Sequence, residues 1–412
     1  MIKKSETFCV APWFQVRNRN SMEKRVCCVI KSPTDASTIN LTPLEYLNSD
    51  PIIELKTQMS EGKRPSVCRG CWVDEDNGVK SLRQSLNSVL TEGDDRNTWI
   101  DSYFKHKKDY TSDLLLMADV NMGNTCNYEC VMCDPGDSSL IYADWFKRKD
   151  SEFVKERTNN NPDYFNIVKF DGFKNLKYKE YIDSAIKNNK HLRYLKLLGG
   201  EPMLDNNLID MLANLDDKIK KNLKLTFVTN GSVDILSVLN KIGTFNHIHI
   251  SVSLEGVDRV QEFARARSNW NIVSNNILNA LNQGIDITVH HSFQTATVLG
   301  FADLLNWCKQ HSIKLSCGIV EDPDYLSIKA LPVILKNNII ELLTQNRNRI
   351  NDINNIADNE LSYENLILKI KNIEFDPVLH KKFFEYIDWY QVNKSIPKLE
   401  TIFPELYKYR NT

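Results

Sequence analysis

The chain has no surplus of either charge. Its 52 lysines and arginines face 53 aspartates and glutamates, net −1 over 412 residues. Without a basic excess there is no electrostatic footprint for nucleic acid, and no acidic block forms a solvating tail. Long hydrophobic runs are also missing. The longest, such as Leu114–Leu116 with Met117, fall far short of the roughly 20 apolar residues that cross a bilayer. No membrane partner is expected. The opening segment MIKKSETFCVAPWF carries two lysines but no apolar stretch behind them. It does not read as a secretory signal, and the expected compartment is the reducing cytoplasm. Internal repeats and long low-complexity stretches are absent. What is present is an ordinary globular composition, 42% hydrophobic and 25% charged, enough to bury a sizeable core. The length suggests two or three domains.

Ten cysteines in a cytosolic chain need a reason, and clustered ones bind metal or do redox chemistry more often than they form disulfides. Cys9, Cys27, Cys28, Cys68 and Cys71 lie near the N-terminus, and Cys126, Cys130 and Cys133 form a tight triplet. Cys308 falls in a helical pattern and Cys317 in a strand pattern, where a free thiol packs as a small hydrophobe.

Residues 1–110 read as irregular, with a helical patch around Leu44–Met59. From residue 114 short apolar or β-branched runs alternate with amphipathic stretches. The runs are Leu114–Val120, Leu192–Leu198, Leu223–Thr229, His247–Ser253, Ile285–Phe293 and Lys314–Val320. One stretch between them places Trp270, Ile272, Val273, Ile277, Leu278 and Leu281 at helical spacing. Six strands separated by helices predict an α/β fold, a partial (β/α)6 barrel of the TIM type, with a doubly wound sheet as the alternative. The expected division is 1–110, a small cysteine-rich domain; 111–322, the barrel; and 323–412, a helical C-terminal region, with Pro332 suited to a first helical turn.

The triplet Cys126-Asn-Tyr-Glu-Cys130-Val-Met-Cys133 follows the first predicted strand. In a βα barrel that is the active face. Three thiolates within eight residues suit one compact centre. Zinc prefers four ligands in pair-plus-pair spacing. An Fe–S cube with three thiolate ligands keeps one iron open.

This C-x3-C-x2-C pattern resembles the radical S-adenosylmethionine (SAM) superfamily. Leu198-Gly199-Gly200-Glu201-Pro202 resembles that family's GGEP motif, Thr229-Asn230-Gly231 closes the third strand, and Ile250–Gly256 ends the fourth. The resemblance covers residues 112–322. It implies that Cys126, Cys130 and Cys133 hold a [4Fe-4S] cluster whose open iron chelates SAM. It also implies that Gly199, Gly200, Glu201 and Pro202 take the amino group of SAM. Met132, where the family often has an aromatic, would meet adenine through its backbone. By position, Ser251, Ser253 and Glu255 are candidates for ribose hydroxyls, with a solvated strand face as the alternative for each. Arg265 is a candidate for the SAM carboxylate or an anionic substrate group, or else an exposed helical arginine. His290, His291 and Gln294 end the fifth strand, where the family contacts cofactor or substrate. The implied reaction is reductive cleavage of SAM to methionine and a 5′-deoxyadenosyl radical, which takes a hydrogen atom from substrate. An electron donor such as flavodoxin or ferredoxin is implied as a partner.

At the N-terminus Cys9 and Cys27 stand 18 residues apart and Cys68-Arg-Gly-Cys71 is a C-x2-C pair. Four such thiols could close a structural zinc site. The segment also resembles the twitch domain-containing radical SAM proteins, in which a SPASM-like domain holds an auxiliary [4Fe-4S] cluster. Phe8-Cys9-Val-Ala-Pro12-Trp13, Cys27-Cys28 and Cys68-Arg-Gly-Cys71-Trp72, followed by Glu75, Gly78, Ser81 and Arg83, carry that resemblance. The usual glycine before the second cysteine is missing, leaving Asn18, Asn20 or Ser21 for the hairpin turn. Neighbours on a strand point to opposite faces, so only one of Cys27 and Cys28 reaches a metal; by position it is Cys27.

The resulting expectation is a two-cluster radical SAM oxidoreductase. Its substrate is either a peptide matured from a ribosomal precursor or a small alcohol or sugar. A zinc-stabilised binding protein without catalysis is the alternative from another class. The aromatic residues Phe383, Phe384, Tyr386, Trp389 and Tyr390 form either a partner surface or core.

Overall fold

The computed structural model describes residues 5–411 apart from 20–22, 31–35, 92–95, 108, 170–175, 347–362 and 393. Among them run ten strands: β1 (Gln15–Asn18), β2 (Lys24–Arg25), β3 (Met117–Asn121), β4 (Glu129–Cys130), β5 (Tyr194–Leu198), β6 (Lys224–Thr229), β7 (His247–Ser253), β8 (Arg265–Ala266), β9 (Asp286–Phe293) and β10 (Lys314–Ile319). Eight of them form one sheet in the order β10-β9-β7-β6-β5-β3-β1-β2, while β4 pairs with β8.

Each expected strand run contains a strand. From β3 to β10 the sheet is parallel, and its strands follow one another in chain order. A doubly wound sheet reverses direction at a switch point; this one does not, and it is the curved half-barrel that the alternation predicts. Helices cover one face. In Ile235–Ile242, Ile235, Val238, Leu239 and Ile242 are buried, the i, i+3, i+4, i+7 stripe of a helix lying on a core. Asp205, Asp234 and Asn269 cap their helices by accepting from backbone N–H groups two or three residues on. Ile272, which the pattern placed on the apolar stripe, is exposed.

The other face of the sheet is polar. Register aligns Arg17 with Asp119, Asp119 with Lys196, Lys196 with Thr226 and Thr226 with His249. Lys196 is exposed and the other four are half-buried. A closed barrel fills such positions with branched aliphatics, so here the interior is open to water.

The N-terminal segment joins this sheet. β1 pairs parallel with β3 (Val16↔Ala118, Arg17↔Asp119), and β2 returns antiparallel to complete a hairpin. The turn residues Asn20 and Ser21 lie outside the described residues. The rest of the region is more helical than its sequence suggests, with helices at Pro43–Leu47, Asp50–Ser60, Arg69–Asp76, Leu82–Thr91 and Arg96–His106. The helical patch divides at Asn48-Ser49 because Pro51 enters the first turn of a second helix.

The C-terminal region is helical as expected, with Pro332 at the cap of Val333–Gln345 rather than inside it. Phe383, Phe384, Tyr386 and Tyr390 on Pro377–Gln391 are buried; these aromatics are core. Among the described residues no helix is long and apolar enough to cross a membrane.

Candidate functional site

Beyond β3 the chain turns at Gly123 into the loop that carries Cys126, Cys130 and Cys133, at the C-terminal end of the parallel strands. Backbone bonds fix this loop on two sides. Met122 N–H donates to Leu198 O, Gly200 N–H to Gly123 O and Glu201 N–H to Thr125 O, each at 2.7 Å. Across the mouth, Glu129 pairs with Ala266 and Cys130 with Arg265, and Val131 N–H donates to Ala264 O at 2.7 Å. The two glycines after β5 serve this contact. Gly199 has φ +138°, and a Cβ on Gly200 would collide with the Thr125 carbonyl. So the GGEP segment lies against the backbone of the cysteine loop.

The three thiols have polar neighbours. Tyr128 N–H donates to Cys126 Sγ at 3.5 Å and Asn230 Nδ2 approaches it at 3.8 Å. Burial pushes the Cys126 thiol up to about 11. Cys130 and Cys133 share a hydrogen bond, and Arg265 Nη1 points at Cys130 Sγ from 3.5 Å. The Cys133 hydrogen bond and the Arg265 charge hold Cys130 below the usual thiol range. Among the described residues no three His, Cys, Asp or Glu side chains converge on a single metal ion. A cube binds each sulfur to a different iron, so it takes thiols spread over a face. Three cysteines on one short loop with N–H donors and a buried cation beside them fit such a group.

The polar residues expected beside them divide into groups. Glu201 is buried, and its carboxylate accepts from Thr229 Oγ1 (2.8 Å), Asn230 N–H (2.6 Å) and Met203 N–H (3.1 Å). It thus fixes the Thr229-Asn230-Gly231 turn beside Cys126. Desolvation pushes this carboxyl up to about 7. Pro202 opens a short turn and is buried. Met132 is half-buried, as are Ser251 and Ser253, which alternate with buried Ile250 and Val252 on β7 and so face the open side of the sheet.

Glu255 and Arg265 form a buried pair at 2.8 Å; Arg265 is therefore not an exposed helical arginine. Gln294 Nε2 donates to Glu255 at 3.3 Å, and Gln261 Oε1 accepts from Glu255 N–H at 2.8 Å. His290 pairs with Ser316 at 2.7 Å, while its neighbour His291 turns the other way, bonds Leu254 O and packs on Phe293 and Phe301. Around this group Arg265 Nε, Gln261 Nε2, His291 Nε2 and Gln294 Oε1 are buried without a partner among the described residues. Buried polar atoms seldom stay unpaired, so the arrangement suits a polar ligand or ordered water. Gln261 and Glu129 carry no motif, and sequence reading missed them.

The N-terminal thiols converge as well. Cys9, Cys27, Cys68 and Cys71 line one cavity of about 360 Å³ with Pro12, Val29 and Arg83. Cys27 is buried and Cys28 exposed. Backbone N–H groups of Ala11, Val29 and Arg83 point at Cys9, Cys27 and Cys71. Desolvation nevertheless pushes Cys9 and Cys68 up to about 12. Such donors favour a sulfur that carries charge, which a metal would supply reason for. Glu75 ties the wall together, accepting from Ser81 at 2.6 Å and from Arg83 at 2.7 and 2.9 Å. Cys308 and Cys317 are buried away from both sites, in the helix Phe301–Gln310 and on β10.

Residues 120–302 match the family model described as the Radical SAM superfamily. No curated protein matches the chain. Among solved structures, anSMEcpe carrying a polyhistidine tag, with bound AdoMet, is 16% identical, with 58% of this chain and 62% of that one covered and a TM-score of 0.42. Streptococcus suis SuiB bound to S-adenosylmethionine is 14% identical over 72% of this chain and 60% of that one, with a TM-score of 0.38. The chain thus spans less than two thirds of the length of either.

Proposed function

We propose that the chain is a radical SAM oxidoreductase, with its [4Fe-4S] cluster on Cys126, Cys130 and Cys133. The observation that carries this reading is the joining of the cysteine loop, the Gly199–Pro202 turn and Arg265 at one end of a parallel half-barrel, through three backbone bonds of 2.7 Å and a two-residue strand pair. When bound, the cluster and SAM supply one-electron cleavage of the sulfonium. The chain's own residues bind and orient. Glu201 fixes the turn at Asn230. Arg265 offers an unpartnered Nε for the SAM carboxylate. Ser251, Ser253 and Glu255 stand where ribose hydroxyls would lie, and Met132 lies beside Cys133.

Cys9, Cys27, Cys68 and Cys71 are assigned to an auxiliary [4Fe-4S] cluster in a twitch-like region over 1–110, with the barrel at 111–322 and the helical region at 323–412. A groove of about 1330 Å³ supports a peptide substrate over a small alcohol or sugar. It is lined by Arg69, Val73 and Asp74 of the Cys71 helix, by Ile319 at the C-terminal end of β10 and by Leu368 and Lys369. Sites for small ligands are typically about 300–1,000 Å³. A cytoplasmic donor such as flavodoxin or ferredoxin would supply the electron.

Anaerobic reconstitution tests this reading. The expected result is brown protein with about eight irons per chain, from two four-iron cubes, that forms 5′-deoxyadenosine from SAM with dithionite. Changing Cys126, Cys130 and Cys133 to Ala should abolish that product and spare the N-terminal iron. Colourless protein with stoichiometric zinc would overturn it in favour of a binding protein.

A further inference from the structure

Tyr386, Tyr390 and Lys394 are spaced four residues apart, the first two on the helix Pro377–Gln391 and the third just after it. That spacing presents one helix face, and the face meets the cysteine loop. Tyr386 Oη donates to the Val131 carbonyl. Tyr390 Oη donates to the Glu129 carbonyl at 2.8 Å and to that of Phe263 at 3.2 Å. Lys394 pairs with the Glu129 carboxylate, which also receives Arg267 Nε at 2.7 Å. Val131 and Glu129 are the two neighbours of Cys130.

Both tyrosines are deeply buried, 3% and 1% exposed. Tyr386 stacks on Phe153 at 5.3 Å and lies 4.6 Å from the Tyr325 ring. Packing alone would be served by phenylalanine. A hydroxyl at this depth requires an acceptor, and both hydroxyls take carbonyls on either side of one thiol, more than 250 residues away in sequence.

We propose that Tyr386 and Tyr390 are positioning residues for the Cys130 ligand that also raise the reduction potential of the centre it holds. This rests on the cluster reading given above. The hydroxyls hold the carbonyls of residues 129 and 131 in place and neutralise part of their negative ends. Reduction adds negative charge to the cluster, so weaker negative dipoles around it favour the reduced state. Second-layer hydrogen bonds and burial are the protein's means of setting such potentials.

The test uses the full chain, reconstituted without oxygen, as wild type, Tyr386→Phe, Tyr390→Phe and the double variant. Iron is counted, and the midpoint potential of each centre is read by electron paramagnetic resonance during a redox titration. The signal that SAM perturbs marks the triplet site. The expected result is full iron, a more negative midpoint at the triplet site in each single variant and more so in the double, and no change at the N-terminal site. Iron lost from the triplet site alone would also support the positioning role. Midpoints unchanged in both single variants at full iron would overturn the inference while leaving the proposed function intact. Wild-type protein without iron at the triplet would overturn the proposed function, and this inference with it.

Discussion

Arg265 donates to the Glu255 carboxylate at 2.8 Å in a place where that carboxylate is 1% exposed. A buried carboxylate keeps its charge only while a counter-charge accompanies it. Removing one partner of such a pair costs about 3–5 kcal/mol, whereas removing both is often close to neutral. Arg265→Met should therefore lower the urea midpoint of the metal-free chain steeply, and Arg265→Met with Glu255→Gln should recover most of the loss. Equal loss in the single and double variants would mean that the guanidinium acts through its packing instead.

The approach of Gly200 to Thr125 gives a sharper contrast. A methyl group at residue 200 would meet backbone on the cysteine loop, with the Asn124 and Thr125 carbonyl carbons at 2.7 Å. Backbone cannot swing aside as a side chain can. Gly200→Ala should displace the loop and reduce iron uptake at the triplet. Gly284→Ala also strains the chain, at φ +76°, but meets nothing within 4 Å. It should cost about 1 kcal/mol of stability and leave iron content unchanged. Iron counts and thermal melts on both variants check this.

Why the strands and the motifs were legible while other parts were not follows from the range of the interactions. The runs around Leu195, Phe227 and Ile250 alternate with half-buried residues on a two-residue period, and that pattern is local. The pairing of Arg17 with Asp119 spans about a hundred residues and rests on a four-residue strand; no local period announces it. Ser251 and Ser253 could be placed on the open face from alternation alone, whereas the turn of His291 away from His290 could not be assigned without the sheet. The grip of Tyr386 and Tyr390 on the cysteine loop was hidden for the same reason. Helical spacing gave their face, and only the fold gave the carbonyls beneath it.

The adjacent pair Cys27-Cys28 separates ligand from bystander. Cys27 is buried within the electrostatic reach of Cys9 and Cys71, while Cys28 is exposed. After anaerobic reconstitution Cys28→Ser should keep the wild-type iron, and Cys27→Ser should lose about half of it, one cube of four irons. Absorbance and iron analysis read the difference. The reverse order would move the assignment to Cys28.

Lys56 has no exposed surface and, among the described residues, no acidic partner within bonding distance. Its Nζ donates to Leu47 O (2.7 Å), Tyr110 O (2.9 Å) and Ser112 Oγ (2.8 Å) and lies 4.8 Å from the Trp13 ring centre, near the Cys9 segment. Desolvation pulls this amine down to about 7, against about 10.4 in an unfolded chain. Between those values the unfolded chain binds the extra proton, so folding stability rises with pH through the window and falls as pH drops toward 7. The slope reaches at most about 1.4 kcal/mol per pH unit. Lys56→Met removes this dependence and keeps the length of the side chain. The difference in unfolding free energy, wild type minus variant, should therefore grow from pH 7 to pH 9. Taking the difference cancels the contribution of the buried thiols, which ionise over the same range in both proteins. Parallel curves would show that the three oxygens and the Trp13 face hold the ammonium charged throughout.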